Sequence, residues 1–576
     1  MRTLTTSSET RQSTPAPQSP PCSDSVVRQA IETGRTRILI TAAVMTLAFG
    51  VIGARLVDLT VFSEPAEPRV AKAASEETVG RRADIVDRNG TLLATSLQTV
   101  SLFADPKRVM DPRAAAYKLS AILPDSSAEW LESRMRKPGR FVYLHRSLTP
   151  RQQWEINRLG IPGIDFSSNE TRLYPHGPLA GHVLGFADVD GNGIAGIERR
   201  FDKTLSADGN SVQLSLDMRV QHVLRDELAT AIAEYDAIGG AGIVLDAKTG
   251  ELLGLSSLPD FDPNHPGVAS PDARFNRATL GVYELGSTFK IFNTAMAIDS
   301  GLVTMGDFYD ASKPLKVARY TIRDYHAKNR SLSVPEIFIY SSNIGSAKMA
   351  IDVGGEAQKH FFQRMGFLDT LDVELPEAGH PQSPSIWRPI NTMTIAFGHG
   401  LSVSPLHLAS GVAAMVNGGV LMSPTLLKTE TPRNGKRIVS AATSDAIRRL
   451  MRLNALEGSG GKARVAGYLV GGKTGTAEKV GVQGTYKRKA LISSFVAAFP
   501  MNDPKYVVYI VLDEPQGNEK THGYATGGWV AAPTVGAVIR RIAPVLGVEP
   551  VDGETPEIRQ QLAIEMPQAR KRLASF

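Results

Sequence analysis

Ser287 and Lys290 stand three residues apart in Tyr283-Glu284-Leu285-Gly286-Ser287-Thr288-Phe289-Lys290, and Ile291-Phe292-Asn293-Thr294-Ala295-Met296-Ala297 continues as a largely apolar run. That run predicts a buried helix. Residues three apart on a helix share one face, so Lys290 reaches the Ser287 hydroxyl. A lysine that is partly desolvated beside a serine loses basicity and takes the serine's proton. A serine at a helix N-terminus also has backbone N–H groups beside it for an oxyanion. Ser-x-x-Lys by itself is a frequent accident: alone, a serine such as Ser287 is more often a helix cap and a lysine such as Lys473 a surface charge. Two further clusters follow in order, Ser341-Ser342-Asn343 and Lys473-Thr474-Gly475-Thr476. Three such clusters in order along one chain make chance coincidence a poor reading.

This three-part set resembles that of penicillin-binding proteins and class A β-lactamases. Phe261-Asp262-Pro263-Asn264, Asn276-Arg277, Phe397-Gly398-His399-Gly400 and Ser404-Pro405-Leu406 narrow the resemblance to the class B penicillin-binding proteins. The short N-terminal tail, the overall length and flanks such as Asp513-Glu514-Pro515 look most like those of cell division. The resemblance runs over about residues 38–545. It implies that Ser287 attacks a D-Ala-D-Ala carbonyl, with Lys290 as base, and that Ser341 passes the proton to the leaving D-Ala while Lys473 tunes it. It further implies that Asn343 orients Lys290 and the donor amide, and that Thr474 and Thr476 bind the substrate carboxylate that β-lactams imitate. The N–H groups of Ser287 and Thr476 would form the oxyanion hole. Gly475, lacking a side chain, would let an extended peptide lie along the strand. No metal or organic cofactor is implied. His399 stands where most relatives carry Gln and is not expected to be catalytic.

Hydrolysis by the same acyl-enzyme, as in a D,D-carboxypeptidase or β-lactamase, is the nearest alternative. Ser-Ser-Asn in place of Ser-Asp-Asn departs from the class A β-lactamases. An elongation-specific transpeptidase, a β-lactam sensor and a catalytically idle division scaffold also stay open.

Upstream, Arg82-Ala83-Asp84-Ile85-Val86-Asp87-Arg88-Asn89-Gly90 reads as a strand and tight turn into a second strand. It resembles the opening motif of the family's non-catalytic pedestal, with Ala83 in place of glycine. Arg172-x-Tyr174-Pro175-x-Gly177 with Gly181-His182 and Gly185, and Gly193-Ile194-Ala195-Gly196-Ile197-Glu198, resemble two more pedestal motifs. Their expected work is structural, so His182 is expected to be a hydrogen-bonded packing residue. Asp188-Val189-Asp190-Gly191-Asn192-Gly193 imitates half an EF-hand, but the required glutamate position holds Arg199 and a glycine-rich turn is the better reading.

Downstream, a helix is expected from Asp217 to about Tyr235, then strands at Gly242–Asp246 and Leu252–Leu255. Further strands are expected at Tyr468–Thr476, Ser493–Val496 and Tyr506–Leu512, and a last long helix from Gly527. Gly467-x-x-x-x-Gly472-Lys473-Thr474 satisfies the P-loop pattern, and Asp513-Glu514 imitates a magnesium-holding strand end. A P-loop must open a helix, however, and no apolar helical stripe follows Thr474.

The chain has 576 residues, too many for one domain, and its 42% hydrophobic and 21% charged residues make it globular. A formal charge of +6 spread along the chain gives no reason to invoke nucleic acid. The single cysteine, Cys22, excludes intramolecular disulfides and thiolate metal sites. Ile38–Ala54 is free of charge, spans roughly 25 Å as a helix, and follows Arg35 and Arg37. It is expected to be an uncleaved membrane anchor, extended by Leu56–Phe62, with the N-terminus in the cytoplasm.

The expected layout is a disordered cytoplasmic tail (1–37), an anchor (38–62), a pedestal (63–211) opening on an Ala-, Glu- and Pro-rich linker, a transpeptidase domain (212–545) and a C-terminal tail (546–576). The catalytic fold implied is an α/β (α+β) serine transpeptidase/β-lactamase-like domain, a central antiparallel sheet flanked by helices. The chain is expected to be single-pass in the cytoplasmic (inner) membrane with its catalytic domain on the extracytoplasmic side, and work beside an FtsW-type glycan polymerase and other division proteins follows from the resemblance.

Overall fold

The computed structural model describes residues 24–57, 82–207, 211–317, 320–431, 433–480, 486–564 and 566. The chain divides into an N-terminal unit, Met1–Val79, and a large unit, Gly80–Phe576. The first holds one helix, Asp24–Val57. Its apolar stretch, Gly34–Leu56, is 23 residues long and rises about 35 Å, enough to cross a bilayer core. A disordered tail through residue 37 is thus overturned from Asp24 onward. The last proline before the helix is Pro21, and Arg28, Gln29, Ala30 and Glu32 are good helix formers. The tail before Asp24, Cys22, the anchor's extension past Val57 and the linker lie outside the described residues.

In the large unit the expected hairpin opens the pedestal. Strand Ile85–Val86 pairs antiparallel with Leu92–Ala104 and parallel with Val212–Gln213. Asp87 builds the turn by accepting from the N–H groups of Asn89 and Thr91, both at 2.8 Å. Leu92–Ala104 also pairs with Val142–Leu148 and Ile164–Leu173, and helices Pro112–Ser120 and Ala128–Met135 share a core with this sheet. The three pedestal motifs meet at one carboxylate. Glu198, fully buried, bridges Arg82 and Arg172 at 2.7 Å each, and Arg82 also pairs with Asp202 at 2.8 Å. Tyr174 and Asn264 exchange two backbone-to-side-chain hydrogen bonds of 3.0 Å, tying pedestal to catalytic domain. Asp188 accepts from the N–H groups of Asp190 and Asn192, so the EF-hand look-alike is a glycine-rich turn.

The catalytic sheet is antiparallel throughout, in the order Gly471–Val480, Tyr486–Phe499, Tyr506–Asp513, Gly239–Asp246, Leu252–Leu258. Helices Met218–Glu234 and Gly527–Val545 pack on one face. Helices Lys290–Asp299, Pro405–Val416 and Ala441–Glu457 share the core on the other. Two expectations shift. The strand begins at Gly471, because Tyr468 only bridges back to Val465, so Lys473 and Thr474 lie inside a strand and the P-loop reading fails. Asp513 is taken up by Lys479 at 2.6 Å, and Glu514 by the same lysine at 2.9 Å. Beyond Val545 the chain does not simply trail away. Val548 and Leu562 are buried, helix Pro556–Leu562 forms, and Val551 N–H donates to the Gly467 carbonyl at 2.7 Å.

Removing one member of a buried ion cluster strands the others. Glu198→Ala, leaving buried Arg172 without a carboxylate and Arg82 with Asp202 alone, is expected to lower unfolding free energy by about 3–5 kcal/mol. Urea denaturation of the purified protein checks this, and a change within error would show that water compensates the arginines.

Candidate active site

Ser287 sits in a single 3-10 turn, Gly286–Phe289, and Lys290 is the first residue of the helix that follows. The turn lies against strand Gly471–Val480 because Gly286 adopts φ +57°, and a Cβ there would come within 2.5 Å of the Thr476 carbonyl oxygen. Only glycine combines that conformation with that approach. Lys290 Nζ stands 3.0 Å from Ser287 Oγ, 3.0 Å from Ser341 Oγ, 2.6 Å from the Ser341 carbonyl oxygen and 2.8 Å from Asn343 Oδ1. The helical spacing therefore does what it predicted.

Ser341 lies between helices Val334–Ile339 and Asn343–Val353 with φ +56°, an uncommon conformation for a residue with a side chain. There its hydroxyl meets both lysines: Lys473 Nζ is 3.0 Å from Ser341 Oγ. Burial lowers the Lys290 pKa well below its ordinary value, the Lys473 charge lowers it further, and Asp324 works in the opposite sense. Burial alone lowers Lys473 to about 7. The physical cause is the same in both, since an ammonium is costly to hold away from water.

The other expected residues converge on the same corner. Thr474 Oγ1 is 2.8 Å from Ser459 Oγ, and Thr476 Oγ1 accepts from the Gly527 N–H at 3.0 Å, at the start of the last long helix. Asn343 uses one amide N–H on the Arg323 carbonyl at 3.0 Å. Gly475 has a further reason to be small. A Cβ on it would lie 2.4 Å from Ser494 Oγ, 2.6 Å from the Leu285 carbonyl and 2.9 Å from Thr288 Cγ2. The turn that carries Ser287 packs onto it, a constraint in addition to the passing peptide expected there.

Several residues around the site were missed. The Asp324 carboxylate accepts from Ser342 Oγ at 2.7 Å and the Ile344 N–H at 2.9 Å, holding the turn that carries Ser341. Asn454 donates to the Gly472 carbonyl at 2.7 Å, and its Oδ1 accepts from the Ser459 N–H at 3.2 Å. Glu284 accepts from the Gly400 N–H at 2.7 Å and from the Tyr486 hydroxyl at 3.0 Å, which fixes the wall beside the nucleophile. Gly458-Ser459-Gly460-Gly461 is the one local signal, a loop able to approach a strand closely. Asp324 had none.

The two singled-out histidines are not hydrogen-bonded to the Ser287–Lys290 group. His399 packs between Phe397 and Tyr486, and burial lowers its pKa. His182 packs edge-on against Phe261 in a separate place, its pKa lowered by burial to about 4.

Gly475→Ala forces the strand and nucleophile turn apart and is expected to cost about 1–3 kcal/mol of stability. A melting temperature equal to wild type would contradict the close approach.

Comparison with known proteins bears on the same residues. The penicillin binding protein transpeptidase domain matches residues 240–540, and the penicillin-binding protein dimerisation domain matches residues 77–231. The probable peptidoglycan D,D-transpeptidase FtsI of Caulobacter vibrioides is 43% identical over 82% of this chain and 82% of its own. The probable peptidoglycan D,D-transpeptidase PenA of Neisseria gonorrhoeae is 32% identical over 93% and 96%, and the peptidoglycan D,D-transpeptidase FtsI of Escherichia coli 30% over 81% and 84%. A solved peptidoglycan synthetase from Bifidobacterium adolescentis shares the fold, with TM-score 0.65 and 23% identity over 83% of this chain and 97% of its own. With a dimerisation domain ahead of the transpeptidase domain, a Ser-x-x-Lys pair meeting a Ser-x-Asn turn and a Lys-Thr-Gly strand, this chain belongs to the class B penicillin-binding proteins.

Proposed function

We propose that this chain is a serine D,D-transpeptidase that cross-links peptidoglycan during cell division and is inhibited by β-lactams. The relatives named FtsI support the division role over elongation. The observation that carries the chemistry is Lys290 Nζ, fully buried and 3.0 Å from both Ser287 Oγ and Ser341 Oγ.

Proton accounting assigns the roles. A neutral lysine has two N–H donors and one lone pair. The Ser341 carbonyl and Asn343 Oδ1 take the two donors, at 2.6 and 2.8 Å, leaving the lone pair for the Ser287 proton. Ser287 Oγ attacks the carbonyl of the penultimate D-Ala of a donor stem peptide, and the oxyanion is held by the N–H groups of Ser287 and Thr476. The C–N bond breaks and Ser341 hands a proton to the departing D-Ala, drawing on Lys290. An amine of a second stem peptide attacks the ester, loses its proton through the same group and restores Ser287. Lys473, as a cation, polarises Ser341 and with Thr474 and Thr476 receives the donor carboxylate. Ser459 and Asn454 keep Thr474 in place. Strand Gly471–Val480 is the free edge of the sheet, where a donor peptide adds as a further strand. Asn343 retains a second amide N–H for the donor carbonyl.

The apolar helix supports a membrane anchor, and Arg35 and Arg37 before its core support a cytoplasmic N-terminus, with the pedestal (63–211) and transpeptidase domain (212–545) outside the cytoplasmic membrane. Partnership with an FtsW-type glycan polymerase rests on family analogy. The β-lactam and stem-peptide binding fits the family directly.

Fluorescent penicillin added to intact spheroplasts is expected to label a band at 62.0 kDa that Ser287→Ala removes. Folded but unlabelled wild type would remove the acyl-enzyme, and labelling only after lysis would reverse the topology.

The pH dependence of acylation follows from the lysines. Lys290 acts neutral, so the rate rises as pH climbs through its lowered pKa. Lys473 acts as a cation, so the rate falls as pH passes about 7 in the free protein. Stopped-flow acylation should give a bell with its alkaline limb near that value, and Lys473→Arg should move that limb upward. An unmoved limb would assign it to another group.

A further inference from the structure

The donor peptide of the proposed reaction lies along the free edge of strand Gly471–Val480, and its direction there is fixed. With the oxyanion on the Thr476 N–H, the penultimate D-Ala opposes Thr476 and the terminal carboxylate lies toward Thr474. The rest of the stem therefore runs antiparallel to the strand, toward Glu478. The strand pairs with Tyr486–Phe499 in unbroken register from Gly471 to Glu478, which opposes Leu491, and the register shifts only beyond it. Alternation thus puts Thr474, Thr476 and Glu478 on one face. That face opens along its length: Thr474 is buried, Thr476 half-buried and Glu478 exposed.

An exposed glutamate is ordinarily a solvated surface charge. Here the surroundings leave its charge uncompensated. Lys479, next along the chain, is held by Asp513 at 2.6 Å and Glu514 at 2.9 Å. Among the described residues Glu478 itself makes no hydrogen bond or ion pair. The wall beside it is acidic as well: Tyr486, paired with Val480, donates its hydroxyl to Glu284 at 3.0 Å. Burial raises the Tyr486 pKa, and the charges of Glu284 and Glu478 raise it further. His399, its ring 5.9 Å from that of Tyr486, has its pKa lowered by burial and adds no cation at neutral pH. The cleft in the proposed mechanism is therefore cationic at its carboxylate end, where Lys473 meets Ser341, and anionic at the other.

We propose that Glu478 is a specificity residue of the donor site, selecting stems that carry an ammonium group on the residue preceding the acyl D-Ala. That residue opposes Ala477, one position short of Glu478, and a long side chain covers the difference. A diamino acid with a free terminal amine has the required chemistry. Its ammonium meets the Glu478 carboxylate while the C-terminal carboxylate of the stem meets Lys473, Thr474 and Thr476. The two charges together set the direction in which the donor enters. The proposal rests on the transpeptidase reading and on the register that reading gives the donor.

Three penicillins that share one skeleton separate charge from fit. At the place of that preceding residue benzylpenicillin carries no charge, ampicillin an ammonium and carbenicillin a carboxylate. Second-order acylation rates are measured with the full chain in detergent, at mildly acidic pH where the ampicillin amine is protonated. Each charged drug is taken relative to benzylpenicillin in the same variant. Wild type is expected to favour ampicillin over carbenicillin. Glu478→Gln should weaken that preference about two- to fivefold, the scale of an exposed ion pair, and Glu478→Lys should reverse it. The wild-type preference should also shrink between about 0.1 M and about 1 M salt, as the Debye length falls from about 10 to about 3 Å. A preference unchanged in both variants would overturn the proposal and leave the transpeptidase reading intact. No acylation of folded wild type by any of the three would overturn that reading and the proposal with it.

Discussion

The constraint on which the site depends is the burial of two lysine side chains against one serine hydroxyl. Lys290 and Lys473 are both fully buried, and among the described residues neither makes an ion pair with a carboxylate. Two ammonium groups so close cannot both stay charged in a medium that solvates poorly. Burial lowers the pKa of both lysines, and in the proposed mechanism Lys290 is the neutral one, the state a serine nucleophile needs beside it. Asp324 biases the balance from a distance, favouring charge on Lys290 without touching it. The same carboxylate holds the turn that carries Ser341, so its charge and its hydrogen bonds serve one site in two ways.

Three separate segments must meet for this to work, and the fold supplies a device for each. Lys290 comes from the first turn of a buried helix, Ser341 from a left-handed residue between two helices, and Lys473 from an edge strand. Gly286 and Gly475 let the first and third close to backbone distance, and Asp324 with Ser342 clamps the second. None of these devices touches a reacting atom. Each fixes where a reacting side chain can be.

Legibility divides along the same line. The Ser287–Lys290 contact follows from helical spacing alone, because both residues lie within one turn. The Asp87 turn and the strands of the central sheet were legible for a similar reason: their signals lie within a few residues. Asp324, Asn454 and Ser459 act through contacts that cross from one segment to another, and no pattern within their own segments announces them. The packing of the Ser287 turn onto Gly475 was not legible, since a strand's alternation tells which neighbours share a face but not which face meets that turn. The membrane helix began earlier than its apolar core because helix propensity continues where hydrophobicity stops.

The pedestal repeats the logic of the site with opposite charge economy. There Glu198 sits between Arg82 and Arg172, so a buried carboxylate is satisfied by two guanidinium groups instead of being forced neutral. That cluster joins three stretches of pedestal sequence, and the Tyr174–Asn264 pair carries the connection into the catalytic domain. From Asn276 the chain then runs to Ser287 with successive ties: Thr279 to the Glu377 carbonyl at 2.6 Å, Tyr283 to Val403, and Glu284 to the Gly400 N–H at 2.7 Å. The segment is short, buried for much of its length and bonded nearly residue by residue. A displacement at the domain junction therefore has few soft places in which to be absorbed before it reaches the nucleophile turn. The non-catalytic domain is in this sense mechanically continuous with the serine, although it contributes no group to the chemistry.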